Sequence, residues 1–319
     1  MTSVTPYELF PQTLPVMTEM RRTESGREWL AGLPALVERM REQWELRLGA
    51  PYHGGSSSWV APVERADGSP AVLKVTWPHR EAVPEGPTLR LWDGRGAVRV
   101  HAHDPEHYAL LLERCEPGTE LGRSTHIPAD ERLLLGCEVM RELWRADLAE
   151  GRTLGLETVG ELTAEWADLA EEQASRTWPP ELDAGLFRLG AGLFRELPRG
   201  TRREVVVHGD FNPGNLMAAE RAPWLAIDPH PLTGDPAFEP WPLIEQVDDP
   251  FAKPDPHAVL AHRTALVADA LGEDRDRVRA WSVARHIEYA LWSVDEDDTL
   301  DNSVTLLRQA RILADVAGL

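Results

Sequence analysis

Residues 205–217 read VVVHGDFNPGNLM: three β-branched residues run into His208, Gly209 and Asp210, and Asn215 follows five positions after the aspartate. An aspartate at the C-terminal end of a strand, with an amide side chain five positions on in a tight loop, projects two oxygen-bearing groups toward one point. Eighteen residues beyond Asp210, a second strand-like run, WLAI (224–227), delivers Asp228. Two short strands paired around that spacing would set three oxygen donors beside one another. Oxygen-only donors suit Mg2+, which keeps several waters and takes a few carboxylate or amide oxygens together with substrate phosphates. Asp and Asn also favour turns, but turn formation accounts for neither the strand before each acid nor the third donor.

The elements that must position these residues fall into two groups. Residues 27–48 place Trp29, Leu30, Leu33, Leu36, Val37, Met40, Trp44 and Leu48 at helical spacing. A Gly/Ser turn lies within YHGGSSSWVAPV (52–63), and AVLKV (71–75) reads as a buried strand after the turn RADGSP. Residues 81–92 have a helical pattern, which Pro84 and Pro87 should make short or irregular. GAVRVHAH (96–103) and YALLLER (108–114) give two more strands. Beyond them the pattern turns helical around Leu133–Leu148, Leu186–Leu197 and Val278–Leu291, with EVVV (204–207) and WLAID (224–228) as short strands. A β-rich part and a mostly helical part predict α+β lobes, 1–114 and 115–319, joined near CEPG (115–118). No internal repeat or low-complexity tract occurs.

The 319 residues include 42 % apolar and 27 % charged side chains, a globular composition. No run approaches the roughly 18 apolar residues of a membrane span. The N-terminal MTSVTPYELFPQTLPVM lacks the basic start and apolar middle of a signal peptide. Two cysteines, Cys115 and Cys137, without a CxxC or Cys/His pattern, exclude a disulfide framework or zinc site and fit a reducing cytoplasm. The formal charge of −20 is unevenly spread, with a net of −3 over residues 1–113 and −17 over residues 114–319. That field repels nucleic acid and draws cations to the second half. A soluble monomer without nucleic-acid or membrane partners is expected. The 12 tryptophans are read as core, including Trp44, Trp144, Trp281, Trp59 and Trp241.

The Asp210, Asn215 and Asp228 pattern is similar to the catalytic loop and metal aspartate of the kinase fold. That resemblance implies a bilobal protein-kinase-like fold, with a β-rich N-terminal lobe and a mostly helical C-terminal lobe. It implies Lys74, in AVLKV, on the nucleotide phosphates, paired with Glu85 or its rival Glu81 from the following helix. The turn at Gly54, Gly55 and Ser56 would cover phosphates through backbone N–H groups, although it lacks GxGxxG and reads equally as a plain hairpin. The connecting strand would offer backbone groups of Glu113 and Cys115 to adenine. Gly209 stands where protein kinases commonly have an Arg that reads a phosphorylated loop, and Pro229 follows Asp228 where they have Phe-Gly. Both differences favour a constitutively assembled small-molecule kinase.

VVHGDFNPGN followed by WLAIDPHPLTGDPAFE resembles the aminoglycoside phosphotransferase superfamily, in its streptomycin 6-kinase and hydroxyurea phosphotransferase branch. VLKVTWPHREA, LRLWDGRGAVRV and ALLLERCEPG resemble the same branch in the same order, so the match spans about residues 27–295. The resemblance implies Asp210 as the catalytic aspartate, Asn215 and Asp228 as Mg2+ ligands, and ATP, with GTP as the alternative, as donor. Glu239 departs from the pattern, replacing an aspartate often found after GDPA[FY]. The expected reaction is phosphorylation of a hydroxyl on a small cationic antibiotic of the streptomycin type. Asp235 and the run DEDD, Asp295, Glu296, Asp297 and Asp298, are candidate contacts for the cation, the alternatives being that Asp235 ties the metal-aspartate loop to the lobe core and that the run is a solvated surface. Other readings are a small-molecule kinase acting on another metabolite or on hydroxyurea, and a nucleotide-binding scaffold without turnover.

Overall fold

The computed structural model describes residues 9–296 and 300–319. The chain divides between Gly118 and Thr119 into two units. The first begins with α1 (Pro15–Glu19) and α2 (Glu24–Gln43), the latter started by Thr23, whose hydroxyl accepts from the Gly26 N–H. Then come β1 (Arg47–Leu48), β2 (Ser58–Glu64), β3 (Pro70–Thr76), α3 (Ala82–Trp92), β4 (Val100–Asp104) and β5 (Ala109–Glu113). The strands form one antiparallel sheet in the order β1-β2-β3-β5-β4.

Period-two alternation decides where Lys74 points. Trp59, Ala61 and Val63 of β2, Ala71, Leu73 and Val75 of β3, and Ala109 and Leu111 of β5 share a buried cluster with Leu33, Val37 and Met40 of α2. Lys74, between two of these residues, faces the other side of the sheet. Its register partners there are Val60 and Leu110. On that side α3 approaches so closely that a Cβ on Gly86 would come within 2.8 Å of Leu110 and His103. Glycine beside Glu85 is therefore what lets the helix reach the strand.

Against the expectation of a short or irregular helix, α3 runs 11 residues. Pro84 lies in the first turn, where an N–H has no intrahelical acceptor to lose, so only Pro87 removes a helical bond. The expected strand over 96–103 starts late, at Val100, and carries a register shift between Val100 and Ala102.

The second unit contains, after β6 (Pro117–Glu120), the helices α4 (Ala129–Leu143), α5 (Leu148–Thr153), α6 (Val159–Ser175) and α7 (Gly185–Arg199). Four short strands follow: β7 (Val205–Val207), β8 (Leu216–Ala219), β9 (Trp224–Ala226) and β10 (Leu232–Gly234). The chain closes with α8 (Trp241–Gln246), α9 (Pro256–Leu271), α10 (Arg275–Glu296) and α11 (Asp301–Ala317). A capping box between Thr158 and Glu161 starts α6. Helix α10 forms the centre of this unit, with Val278, Trp281, Ala284, Ile287 and Leu291 all buried. Trp44 is half-buried, whereas Trp59, Trp144, Trp241 and Trp281 are core residues. Among the described residues no helix is long and apolar enough to cross a membrane. Cys115 and Cys137 are both reduced.

Candidate active site

Two antiparallel ribbons build the site. β7 pairs with β10, and β8 pairs with β9. Just past β7, the His208 carbonyl accepts the His230 N–H at 2.8 Å, and the His208 Nε2 lies 2.9 Å from the Ile227 carbonyl. The imidazole is fully buried, and burial pushes its pKa down to about 4, while the Asp210 and Asp228 carboxylates pull the other way. The ring is therefore neutral at pH 7, with Nε2–H donating to Ile227. Both acids lie close enough to this one ring to act on it electrostatically.

Asp210 follows Gly209, whose φ of +83° is in the left-handed region. A Cβ there would collide with the His230 carbonyl. The arginine that protein kinases commonly place here is thus excluded by the backbone itself, since no side chain of any kind fits. The Asp210 carboxylate is held at both ends: Oδ1 accepts from Asn212 Nδ2 at 3.0 Å and Oδ2 from Asn215 Nδ2 at 2.9 Å. Asn215 Nδ2 also donates to the Asp210 carbonyl at 3.0 Å. Asn212 Oδ1 in turn accepts the Gly214 and Asn215 N–H groups, which folds the NPGN loop into a tight turn.

With its NH2 committed to Asp210, Asn215 directs its planar amide oxygen the opposite way. The Asn215 carbonyl accepts the Ile227 N–H at 3.0 Å, extending the β8–β9 ladder by one step. Asp228 is the next residue, and its φ of +56° is a left-handed conformation uncommon outside glycine, though aspartate adopts it more readily than most residues. Such strain persists where surrounding structure imposes it. Among the described residues no three His, Cys, Asp or Glu side chains gather to hold a metal unaided. One amide oxygen and one carboxylate fit Mg2+, which takes its remaining oxygens from phosphates and water.

The Asp210 turn hangs from a residue that sequence reasoning noted only as a departure. Glu239, buried, accepts the His208 N–H at 2.7 Å and the Gly209 N–H at 2.9 Å, one on each oxygen, with the Trp144 indole N–H at 3.3 Å. Burial pushes its carboxyl up to about 7, against the pull of those donors and of Arg285. The signal that could have found it is an acid set between the apolar Phe238 and Pro240–Trp241, where a charge must have partners.

In the first unit Lys74 Nζ and Glu85 Oε1 form a buried ion pair at 2.6 Å. Glu81 is exposed and precedes α3 as its N-cap, 3.8 Å from His79. Gly54, Gly55 and Ser56 lie in the exposed β1–β2 loop, with Gly55 left-handed at φ +79°. Of the Glu113 backbone groups expected to serve adenine, the N–H donates to the Arg99 carbonyl at 2.8 Å. Its strand β5 is flanked by β3 and β4 rather than lying at a free edge. Cys115, half-buried, follows the end of β5.

Of the acids named as candidate contacts for a cation, Asp235 and Asp295 have partners within the chain. Asp235 is buried and accepts from Trp281 Nε1 at 2.6 Å, Arg277 Nε at 2.7 Å and the Ala237 N–H at 3.1 Å, so it ties the loop to α10. Asp295 is bound by Arg176 at 2.7 Å and Gln173 at 2.9 Å, both reaching from α6 and its end. Glu296 ends α10 with a side chain outside the described residues, and Asp297 and Asp298 lie outside them entirely.

A β-rich N-terminal unit followed by a helical unit, with this loop and ribbon arrangement, defines a kinase-like α+β fold. The structure is similar to that of the macrolide 2'-phosphotransferase of Brachybacterium faecium, with a TM-score of 0.56 at 17 % identity, covering 89 % of this chain and 98 % of that one. At that identity the likeness concerns the fold alone. The chain belongs to the aminoglycoside/hydroxyurea antibiotic resistance kinase family, whose model matches residues 43–297. It is 36 % identical over 296 residues to the streptomycin 6-kinase of Streptomyces glaucescens, covering 90 % of this chain and 92 % of the relative. It is also 36 % identical over 276 residues to the hydroxyurea phosphotransferase of Kitasatospora aureofaciens, covering 86 % and 77 %.

Proposed function

We propose that this protein transfers the γ-phosphoryl group of ATP to a hydroxyl of a small cationic antibiotic of the streptomycin type. The observation that carries the reading is the Asp210 carboxylate, clamped by two asparagine amides beside the Asn215–Asp228 ribbon. Asp210 orients the acceptor hydroxyl and takes its proton as the new O–P bond forms and the bond from the γ-phosphorus to the ADP oxygen breaks. The Asn215 amide oxygen and Asp228 would hold Mg2+, which when bound neutralises charge on the phosphates. Lys74, oriented by Glu85, positions the nucleotide phosphates. The strongly acidic second half favours cationic acceptors.

The test is incubation of the full chain with radiolabelled ATP and either streptomycin or hydroxyurea. Label on streptomycin is the expected result. Label on hydroxyurea alone would favour the second reading, which the equal identity to the hydroxyurea enzyme supports, and label on neither would refute transfer to this class of acceptor. A further expectation concerns Lys74→Met. It should raise the KM for ATP at least about tenfold through loss of a charge-assisted phosphate contact. Breaking a buried pair should also cost about 3 kcal/mol of stability. An unchanged KM for ATP would remove Lys74 from the nucleotide site.

A further inference from the structure

Three arginines are buried among the described residues: Arg132, Arg263 and Arg285. Arg263 and Arg285 each have a carboxylate within 4 Å, Asp248 at 3.6 Å and Glu288 at 3.5 Å. Arg132, on α4, has none among the described residues. Its Nη1 donates to the Gly122 carbonyl at 3.0 Å, and its buried Nε makes no hydrogen bond. Asp248, the acid on which its charge acts, is already bound by Lys253 at 2.7 Å. Three terms oppose a cation at this position. An unpaired charge is costly to bury. Arg132 also closes the first turn of α4, where the helix dipole disfavours positive charge, and the Arg263 guanidinium repels it. A side chain that breaks so many local rules of stability is expected where function requires it.

What Arg132 holds is the backbone from which the Asp210 loop hangs. The Gly122 N–H donates to the Pro213 carbonyl at 2.9 Å, and the Leu121 N–H to the Leu216 carbonyl at 2.8 Å. Pro213 and Leu216 lie on either side of Asn215 in the chain. The Asn215 amide, with that of Asn212, clamps the Asp210 carboxylate at 2.9 and 3.0 Å. The NPGN turn is therefore suspended from two successive N–H groups, and Arg132 grips the second of these residues through its carbonyl. Ser124 closes the bend beyond, its Oγ donating to the Glu120 carbonyl at 3.0 Å and its N–H to the Leu121 carbonyl at 3.2 Å. Among the described residues Arg132 is the one side chain that bonds to Gly122. Glycine leaves its peptide groups free to turn unless a neighbour fixes them.

We propose that Arg132 is a positioning residue for phosphate transfer: by fixing the Gly122 carbonyl it keeps the Pro213 and Leu216 contacts in place, and with them the two asparagine amides that aim Asp210. It acts through Gly122 and the NPGN turn, not on the reacting atoms. The inference rests on the phosphotransferase reading, which gives Asp210 its task. A methionine of similar length would fill the same space without a buried charge, and such replacements are often neutral or stabilising. It would leave the Gly122 carbonyl unheld. Stability and rate should therefore part company at this position, which ordinary core packing does not produce.

The experiment compares the full chain with Arg132→Met and Arg132→Lys by three measurements: Tm, hydrogen–deuterium exchange of peptides covering 119–125 and 211–216, and steady-state kinetics with whichever of streptomycin and hydroxyurea the wild type labels. Arg132→Met should keep its Tm, exchange faster in both peptides, and lose about tenfold or more in kcat, since small displacements at a reacting centre are costly. The KM for ATP should change less than kcat. Arg132→Lys retains a donor for Gly122 and should recover most of the rate. Unchanged exchange in both peptides would overturn the proposal, as would a lysine variant as slow as the methionine one. A Tm that falls in step with kcat, with faster exchange throughout α4, would make Arg132 a merely structural residue and overturn it too. If the wild type labels neither acceptor, the phosphotransferase reading fails by itself, and exchange alone then decides whether Arg132 holds the loop.

Discussion

Asp210→Ala should lower the rate of phosphate transfer on the order of 10^3-fold, the typical loss when a positioned proton acceptor is removed, while leaving the protein folded and able to bind Mg-ATP. The expectation follows from what else holds the loop. Asn212 keeps its turn through the Gly214 and Asn215 N–H groups, and Asn215 Nδ2 retains the Asp210 carbonyl at 3.0 Å. The variant loses only the two amide contacts to the carboxylate, roughly 1 kcal/mol each for hydrogen bonds of ordinary strength. Lys74 and Glu85 are untouched, so nucleotide affinity should stay within a few-fold. Single-turnover transfer from radiolabelled ATP and tryptophan-fluorescence titration with Mg-ATP separate the two effects. Undiminished transfer would show that Asp210 takes no part in the chemistry.

The residues of this loop were legible in the sequence because each is tied to a strand end. VVV before His208 and WLA before Asp228 set the ribbons, and the spacing between the two acids then leaves little freedom in how they meet. Lys74 was named through the kinase resemblance of its strand, and alternation along β3 then turns it away from the buried cluster. The choice between Glu81 and Glu85 was not, because prolines on either side of Glu85 read as breaks. Whether a proline breaks a helix depends on its position in the turn, and that is known only once the first turn is located. The partners of Asp235 and Asp295 could not be named because they lie far away in the chain, Arg277 42 residues on and Arg176 119 residues back. Local pattern carries no information about such pairings. The outward strip of α10, Glu288, Tyr289 and Trp292, was hidden for another reason: Val278, Trp281, Ala284, Ile287 and Leu291 reveal a helix, but which strip stays open is decided by the helices packed around it.

Glu239 is where the largest effect outside the reacting groups is expected. Glu239→Ala would strip the acceptor from two backbone N–H groups, and an unsatisfied buried donor costs roughly 1–3 kcal/mol. A loss of about 4 kcal/mol in all should lower Tm by roughly 10 °C in a unit of this size. Because those N–H groups belong to His208 and Gly209, the Asp210 turn would also shift, and a displacement of about 1 Å costs on the order of 10^2-fold in rate. The pH dependence provides a sharper test. In the unfolded chain this carboxyl titrates near 4.5, and in the folded protein it is raised to about 7. Between those values the folded state holds a proton that the unfolded state has lost, so this group's contribution to stability falls as pH rises through that interval and levels off above about 7. The span corresponds to about 3 kcal/mol at most. Activity should move in the opposite direction. Only the carboxylate offers an acceptor oxygen to each N–H, whereas the protonated acid turns a competing O–H donor toward the loop, so kcat should rise as pH passes through about 7. Glu239→Gln cannot titrate. It keeps one acceptor and sets an NH2 against the other N–H, so it should be slower throughout and should lose both pH dependences. Matching pH profiles of Tm and kcat in wild type and Glu239→Gln would mean that the anchor carries no titration felt at the active site.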